Sequence, residues 1–331
     1  MCITSNWTGK TDMTRKNGKV NKKAVRIRPT IVLALSSMLV LMYATVAYGA
    51  FFDTAGQSAR PMGMGEVFLS QTGDASSYWY NPAGLSDIPG RRVGISYGVI
   101  NPSISSDLMK YQLNYINPLG GGGFGLGISG LGADGASEYV FSGAYGRRLG
   151  EKFALGANVK VLYWSIEGQA DPYTGRSDDD LSKVSFSLDL SGSYSIGDLF
   201  GLADFSTGLY VRDAIMPNIS ESGDEGGDLP IEVGVGLMAE RGSVLGEVDV
   251  AFVDEQTIFR AGVESGVVGT DLKIRGGVVY GSDFEDDVER TDIDFGLGYA
   301  FSSLVFDYAF NVPIELSDSG GRHFFSFGVS F

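Results

Sequence analysis

The chain carries a single histidine, His323, and a single cysteine, Cys2. A histidine acts as a general base or activates a nucleophile only when it sits beside a nucleophile or an acid. His323 opens the last apolar-alternating run of the chain, with no such partner near it in sequence, and reads as a rim residue. Cys2 precedes an apolar run and falls in a segment expected to be removed, so no thiol or disulfide chemistry is expected. The acidic runs Asp178-Asp179-Asp180, Asp224-Glu225 with Asp228, and Glu285-Asp286-Asp287 offer hard oxygen ligands. None has the ligand spacing of a dedicated calcium loop, and solvated acidic loops are the expectation. The glycines Gly120–Gly123, Gly125 and Gly127 do not follow a strand and open a helix, so they imply no dinucleotide site. No catalytic residue, no metal and no cofactor is expected, and the chain is not read as an enzyme.

The remaining candidate is a stretch that looks like neither a strand nor a simple loop, Ser58–Ile88. Asp74 can cap a short helix over Ala75–Tyr80. Pro82 pushes Asn81 out of the helical region and ends that helix. Asn81 is then free to satisfy the backbone groups that the break releases. Tyr78, Trp79 and Tyr80 supply bulk, and Ala83, Gly84 and Leu85 follow the break. Asp74, Tyr78, Trp79, Tyr80, Asn81, Pro82, Ala83, Gly84 and Leu85 form the candidate gate, with Asn81-Pro82 as its hinge.

The elements that must hold this stretch are strands. Glycine supplies 48 residues, about twice the usual ~7%, alongside 16 Tyr and 20 Phe. From Arg92 onward the chain reads as fourteen short runs of period 2. In Arg92–Ile100, Val93, Ile95, Tyr97 and Val99 alternate with Gly94, Ser96 and Gly98. In Phe325–Phe331, four apolar residues alternate with Ser326, Gly328 and Ser330. Charged residues keep to one face in every run. A Lys or Arg facing lipid at the midplane costs ~2–4 kcal/mol, so a lipid-facing surface purges charge in this way. A soluble sandwich would also have one apolar face, but it needs no export signal and no terminal Phe331. The expected fold is all-β, a 14-stranded antiparallel transmembrane β-barrel with an N-terminal lumenal hatch. Its wider connections, near Glu167–Ser182, Asp213–Asp228, Gly281–Thr291 and Asn311–Gly321, are all odd-numbered. The even ones are expected to be tight, apart from a long Ser195–Asp204.

The inward faces hold Lys110, Lys160, Arg212, Arg260, Lys273 and Arg275 against Asp189, Glu232, Glu247, Asp249, Glu264, Asp294 and Asp307. Such balanced charge fits a lumen occupied by protein or water, with the charges paired to one another or to the plug. Residues 1–49 carry eight Lys or Arg and one Asp, then an apolar run over Ile31–Tyr48 and small residues at Ala47 and Gly49. That is a secretory signal pattern. The expected division is 1–49 signal peptide, 50–91 hatch and 92–331 barrel, placed in the bacterial outer membrane. The formal net charge of −15 becomes −22 without the signal, which excludes nucleic acid as a partner.

The motif Ala59-Arg60-Pro61-Met62-Gly63-Met64-Gly65, Gly73-Asp74-Ala75-Ser76 and Asn81-Pro82-Ala83-Gly84-Leu85 resembles the N-terminal signature of FadL-type outer-membrane transport proteins, and looks closest to their PorV/PorQ-like branch. The resemblance implies passive uptake of hydrophobic, fatty-acid-like small molecules past a hatch. Its PorV-like alternative is a scaffold that binds exported proteins of a secretion system. The implied partners are therefore a hydrophobic small molecule or lipid, outer-membrane lipid, and in the second case an exported protein. Third strands of fatty-acid transporters kink open sideways, which marks Gly121, Gly122, Gly123, Gly125 and Gly127 as a candidate lateral opening; the same residues also suit a tight turn feeding a plain strand. Two departures stand out. The loops are short for outside capture, and Glu66 stands where related sequences tend to have Gly or Ala.

Overall fold

The computed structural model of the chain describes residues 52, 56–105, 107–133, 135–168, 179–199, 201, 203–223, 227–283 and 289–331. The expected signal peptide, the acidic run Glu285–Asp287, and Asp178, Asp224 and Glu225 lie outside the described residues. Fourteen strands form one closed antiparallel barrel, each paired with its sequence neighbours and the first with the last. They are β1 (Arg92–Ile100), β2 (Met109–Leu119), β3 (Gly122–Ala133), β4 (Ala136–Leu149), β5 (Phe153–Ile166), β6 (Leu181–Leu199) and β7 (Ala203–Arg212). The second half is β8 (Glu232–Arg241), β9 (Val244–Val253), β10 (Gln256–Gly266), β11 (Leu272–Asp283), β12 (Glu289–Phe301), β13 (Leu304–Pro313) and β14 (Arg322–Ser330). Closure runs from Arg92 opposite Ser330 to Ile100 opposite Arg322. It leaves no sheet edge, which is what allows strands to sit in a bilayer.

The alternation read from the sequence becomes an inside and an outside. On β14, Phe325 and Phe327 are 42% and 40% exposed while Phe324 and Ser326, which alternate with them, are buried. Leu126, Phe186, Val248 and Phe295 likewise face outward, which gives the barrel the apolar outer band of a transmembrane protein. Lys110, Lys160, Asp189, Arg212, Glu247, Asp249, Glu264, Arg275, Asp294 and Asp307 are all buried on the inner face. No described helix is long and apolar enough to cross a membrane; the strands cross instead.

Loop lengths depart from the expectation in two places. Ser195–Asp204 is not a long turn: β6 runs on to Leu199 through a register shift between Ser195 and Gly197, where Gly197 has φ +89°. A bulge interrupts period 2, so the end of β6 did not read as strand. The odd-numbered connections β3–β4 and β9–β10 are tight hairpins, the second turning through Asp254 at φ +53°. The other odd connections are at least as long as any even one, so the barrel has a long-loop end and a short-turn end. Phe331 lies at the short-turn end, where its N–H donates to the Arg91 carbonyl (3.0 Å).

Candidate functional site

The segment ahead of β1 lies in the lumen, against the inward faces of the strands. Its first helical turn, Ala59–Met62, packs on β12, β13 and β14. A 3₁₀ turn over Pro82–Asp87 packs on β3, β4, β5 and β6, across the barrel. Between them lies the four-residue helix Ser77–Tyr80.

That helix is shorter than expected, because Asp74 closes the turn ahead of it. The Ser76 N–H donates to Oδ1 of Asp74 (2.8 Å), and the Ser77 N–H donates to the Asp74 carbonyl (3.2 Å). The helix ends at Asn81, which is extended at φ −149° and ψ 91° ahead of Pro82. The Asn81 side chain, fully buried, accepts from the Ala83 N–H (3.1 Å) and donates to the Leu69 carbonyl. It ties together the two arms of the segment that the break separates. Gly84 lies against Ser77. Tyr78, Trp79 and Tyr80 are buried with Phe68, Leu85, Ile88 and Ile116 in one apolar cluster. The Tyr78 and Trp79 rings meet edge to face at 4.7 Å. The Tyr78 hydroxyl donates to the Ser142 carbonyl (2.7 Å), and the Trp79 indole N–H donates to Gln112.

Wall carboxylates hold the segment by its backbone. Asp249 accepts from the N–H groups of Phe68 (3.1 Å) and Leu69 (3.4 Å), and Glu247 accepts from that of Ser70 (2.6 Å) and from the Gln71 amide (2.8 Å). Ser326 Oγ accepts from the Ala59 N–H (2.8 Å) and Ser191 Oγ from the Ala83 N–H (2.9 Å). Arg60 grips the wall carboxylate Glu264 in a fork (2.9 and 3.1 Å) and also pairs with Asp74 (3.0 Å). Glu264 is shared with Lys273 (2.8 Å) and Arg275 (2.6 Å). Burial alone would raise the Asp74 carboxyl. The Arg60 charge, the Ser76 N–H and Arg92 outweigh it and hold Asp74 below its ordinary value of 3.8. Arg60 is shifted upward: burial opposes its charge, and Asp74 and Glu264 more than compensate.

The wall makes room for this segment with glycine. A Cβ at Gly208 would lie 1.8 Å from the Leu69 carbonyl oxygen, and one at Gly262 1.9 Å from that of Met64. At Gly277 it would lie 2.1 Å from the Gly65 nitrogen, and at Gly156 2.1 Å from the Ala83 nitrogen. The segment's backbone therefore touches the wall's backbone around most of the barrel. The candidate lateral opening belongs partly to this seat. Gly125 and Gly127 lie against the Tyr78 ring and Gly123 against the Leu85 carbonyl, whereas Gly121 is in the β2–β3 turn. Gly122 opens β3, which pairs in continuous register with both β2 and β4.

Glu66 takes the left-handed conformation, φ +60°, which costs a side-chain-bearing residue about 1 kcal/mol and glycine nothing. Its buried carboxylate faces Arg260 and Arg290, each at 3.9 Å. Among the described residues, two cavities open beside the segment. One of about 280 Å³ at the short-turn end is lined by Arg60, Asp74, Arg92, Lys273, Arg275 and Asp307. The other, of about 190 Å³, lies at the long-loop end between the segment and β14, β1, β2, β3 and β4. His323 lies between Arg322 and Phe324, which line the second cavity, but its ring packs against other partners. It sits on β14 between the rings of Phe310 (4.7 Å) and Tyr308 (6.3 Å) and shares a hydrogen bond with the Tyr308 hydroxyl (2.9 Å).

Sequence reasoning placed Glu247, Asp249 and Glu264 on the inner face, paired with one another or with the plug but without named partners, and it missed Arg60 as the segment's ionic anchor. The inward phase of the wall glycines was visible in the period-2 runs and would have marked them as a seat.

No protein-family model matches the chain, and no curated protein matches it. Solved structures do. The toluene transporter TbuX of Ralstonia pickettii superposes with a TM-score of 0.66 at 14% identity, over 85% of this chain and 100% of that one. The toluene transporter TodX of P. putida gives 0.64 at 14%, over 84% and 99%. The monoaromatic hydrocarbon channel CymD gives 0.62 at 13%, over 85% and 99%. At this identity the likeness is one of fold.

Proposed function

We propose that this protein is a FadL-type barrel of the bacterial outer membrane that lets hydrophobic small molecules cross passively, and that the lumenal segment is the hatch they must pass. The observation that carries the reading is the seat. Inside a lipid-facing barrel, the hatch meets bare wall glycines and is held against them by hydrogen bonds and ion pairs. Contacts of this kind can be exchanged one at a time, so the hatch can shift without unfolding the barrel. The fold shared with toluene and monoaromatic hydrocarbon transporters supports the same ligand chemistry, and the sequence motif extends it to fatty-acid-like molecules.

Asn81-Pro82 is the hinge in this reading. Tyr78, Trp79, Tyr80 and Leu85 form the moving seal, and Asp74 is the latch. When Tyr78 withdraws, β3 has no side chain on its inner face at Gly123, Gly125 and Gly127, so passage sideways there is the route that needs the smallest movement. Deleting residues 50–89 is expected to raise the leak of hydrophobic solutes into proteoliposomes; unchanged permeability would count against a hatch. The second reading, a PorV-like scaffold for exported proteins, draws on the apolar side chains exposed among the long loops, including Ile104 (66%), Ile215 (56%) and Leu316 (49%). It expects an exported protein to co-purify with the barrel and no solute uptake.

A further inference from the structure

Two buried carboxyl groups meet on the wall behind the hatch. Glu247 and Asp249 stand two residues apart on β9, so both project from its inner face. They are 2% and 1% exposed, and their carboxyl groups lie within hydrogen-bonding reach of each other.

Among the described residues neither forms an ion pair. The strand neighbours of Glu247 are Met238 on β8 and Gly262 on β10, and those of Asp249 are Gly236 and Arg260. Arg260 favours a charge on Asp249, but it is shared by Glu66 of the hatch (3.9 Å) and Glu232 of β8 (3.8 Å). Further along β10, Glu264 is occupied by Arg60, Lys273 and Arg275. On β7, Arg212 and the Tyr210 hydroxyl turn to Glu232. Tyr80, the titratable hatch residue near Glu66, is a neutral phenol. Two adjacent carboxylates buried without a counterion of their own do not both stay ionised.

The hydrogen bonds leave one place for a proton. Both oxygens of Glu247 are taken, by the Ser70 N–H (2.6 Å) and the Gln71 amide (2.8 Å). Asp249 Oδ2 takes the N–H groups of Phe68 (3.1 Å) and Leu69 (3.4 Å). Asp249 Oδ1 is buried over bare Gly236, and no donor faces it. A proton held between the two carboxyl groups supplies that donor.

We infer that Glu247 and Asp249 form a proton site: the pair holds one proton while hatch residues 68–71 cover it, and gives the proton up when the hatch lifts and water enters. This rests on the hatch of the transport reading and adds its regulation. The docked state then binds one proton more than the released state, so docking weakens as pH rises. Above the ~4 of a solvated carboxylate, each pH unit weakens docking by up to about tenfold, until the docked pair has lost its proton too. The Asp74 latch has the opposite sign and acts at lower pH.

The full barrel in nanodiscs tests this, with nitroxide labels at two exposed positions, Thr72→Cys on the hatch and Arg241→Cys at the end of β8. Urea titration of the label separation gives the docking equilibrium at about pH 5 and about pH 8, and heat-modifiable gel mobility shows that the barrel stays closed. Docking is expected to be weaker at the higher pH by about tenfold or more, and the infrared spectrum at the lower pH to carry the C=O stretch of a protonated carboxyl. Asp249→Asn should remove that band and flatten the pH dependence. Glu247→Gln should do the same, and stands in if the first variant does not fold. A merely structural pair predicts weaker docking in the variants with the pH dependence intact. That result, a band that persists in both variants, or docking that does not weaken with pH in the unsubstituted pair would overturn the inference. Toluene uptake into proteoliposomes separates the two levels. If docking follows pH as expected while uptake does not change with it, the proton site stands and the transport reading falls. If toluene is taken up but the band and the pH dependence are missing, the transport reading stands and this inference falls.

Discussion

Gly156→Ala probes the hatch seat directly. The added Cβ would lie 2.1 Å from the Ala83 nitrogen and 2.3 Å from the Pro82 carbonyl carbon. Ordinary contact between carbon-sized atoms is about 3.5 Å, so the hatch must retreat by roughly 1.4 Å at this point. Both neighbours are backbone atoms, and no rotamer change can relieve the clash. A retreat of that size also stretches the bond from the Ala83 N–H to Ser191 Oγ from 2.9 Å beyond bonding distance. Overpacking of this kind costs about 1–3 kcal/mol and a lost hydrogen bond about 1 more. Even 2 kcal/mol shifts the ratio of docked to released hatch by roughly thirtyfold. The strand ladder is untouched, so the cost falls on docking. Limited proteolysis of the hatch and conductance in planar bilayers read the shift. Gly192→Ala on neighbouring β6 is the control, because its Cβ would meet nothing closer than Leu155 Cδ2 at 3.6 Å. If Gly156→Ala and Gly192→Ala give the same proteolytic protection and the same conductance, the glycine seat does not hold the hatch.

Further outcomes follow from the anchors. Arg60→Met removes the cation shared by Glu264 and Asp74 and should weaken docking by about 2 kcal/mol, seen as faster hatch cleavage, because charged hydrogen bonds to Glu264 are lost and Asp74 keeps only Arg92 at 4.0 Å, while Glu264 keeps Lys273 and Arg275. Asn81→Ala removes the tie between the Leu69 carbonyl and the Ala83 N–H and should cost about 1–3 kcal/mol in hatch protection with barrel melting unchanged. Asp74 is held below 3.8, so the stabilisation it contributes is present above that value and is lost as pH falls through its lowered one. The part of the protection that Asp74 contributes should therefore fall as pH drops below about 4, and Asp74→Asn should reduce that part of the fall. His323→Ala should leave uptake unchanged, because His323 stacks between Phe310 and Tyr308 away from the lumen.

The barrel was legible because each strand carries its own alternation. Fourteen runs could be counted without knowing their partners. The end of β6 was not legible, since the bulge at Ser195–Gly197 resets the period and its Ser, Gly and Asp residues read as turn. Wide loops fell where strand parity puts them, but the tight β3–β4 and β9–β10 hairpins show that parity alone does not set loop length. Within the lumenal segment, the local features were readable. Pro82 fixes Asn81, and Asp74 closes the turn at Ser76. The contacts that hold this segment were not readable, because they join residues far apart in sequence: Arg60 and Glu264 are 204 positions apart, and Phe68 and Asp249 are 181. Glu66 was noticed only as a departure from a motif; the structure adds its left-handed backbone and its two arginine neighbours.

Locking the hatch to the wall tests the central claim most directly. Ala83→Cys with Ser191→Cys puts one thiol on each side of the contact where the Ala83 N–H now meets Ser191 Oγ at 2.9 Å. Uptake of toluene into proteoliposomes is then measured with the pair oxidised and again after reduction. Gating by the hatch predicts little uptake when the disulfide is closed and recovery when it is reduced. Equal uptake in the two states, with the crosslink verified by mass, would contradict it.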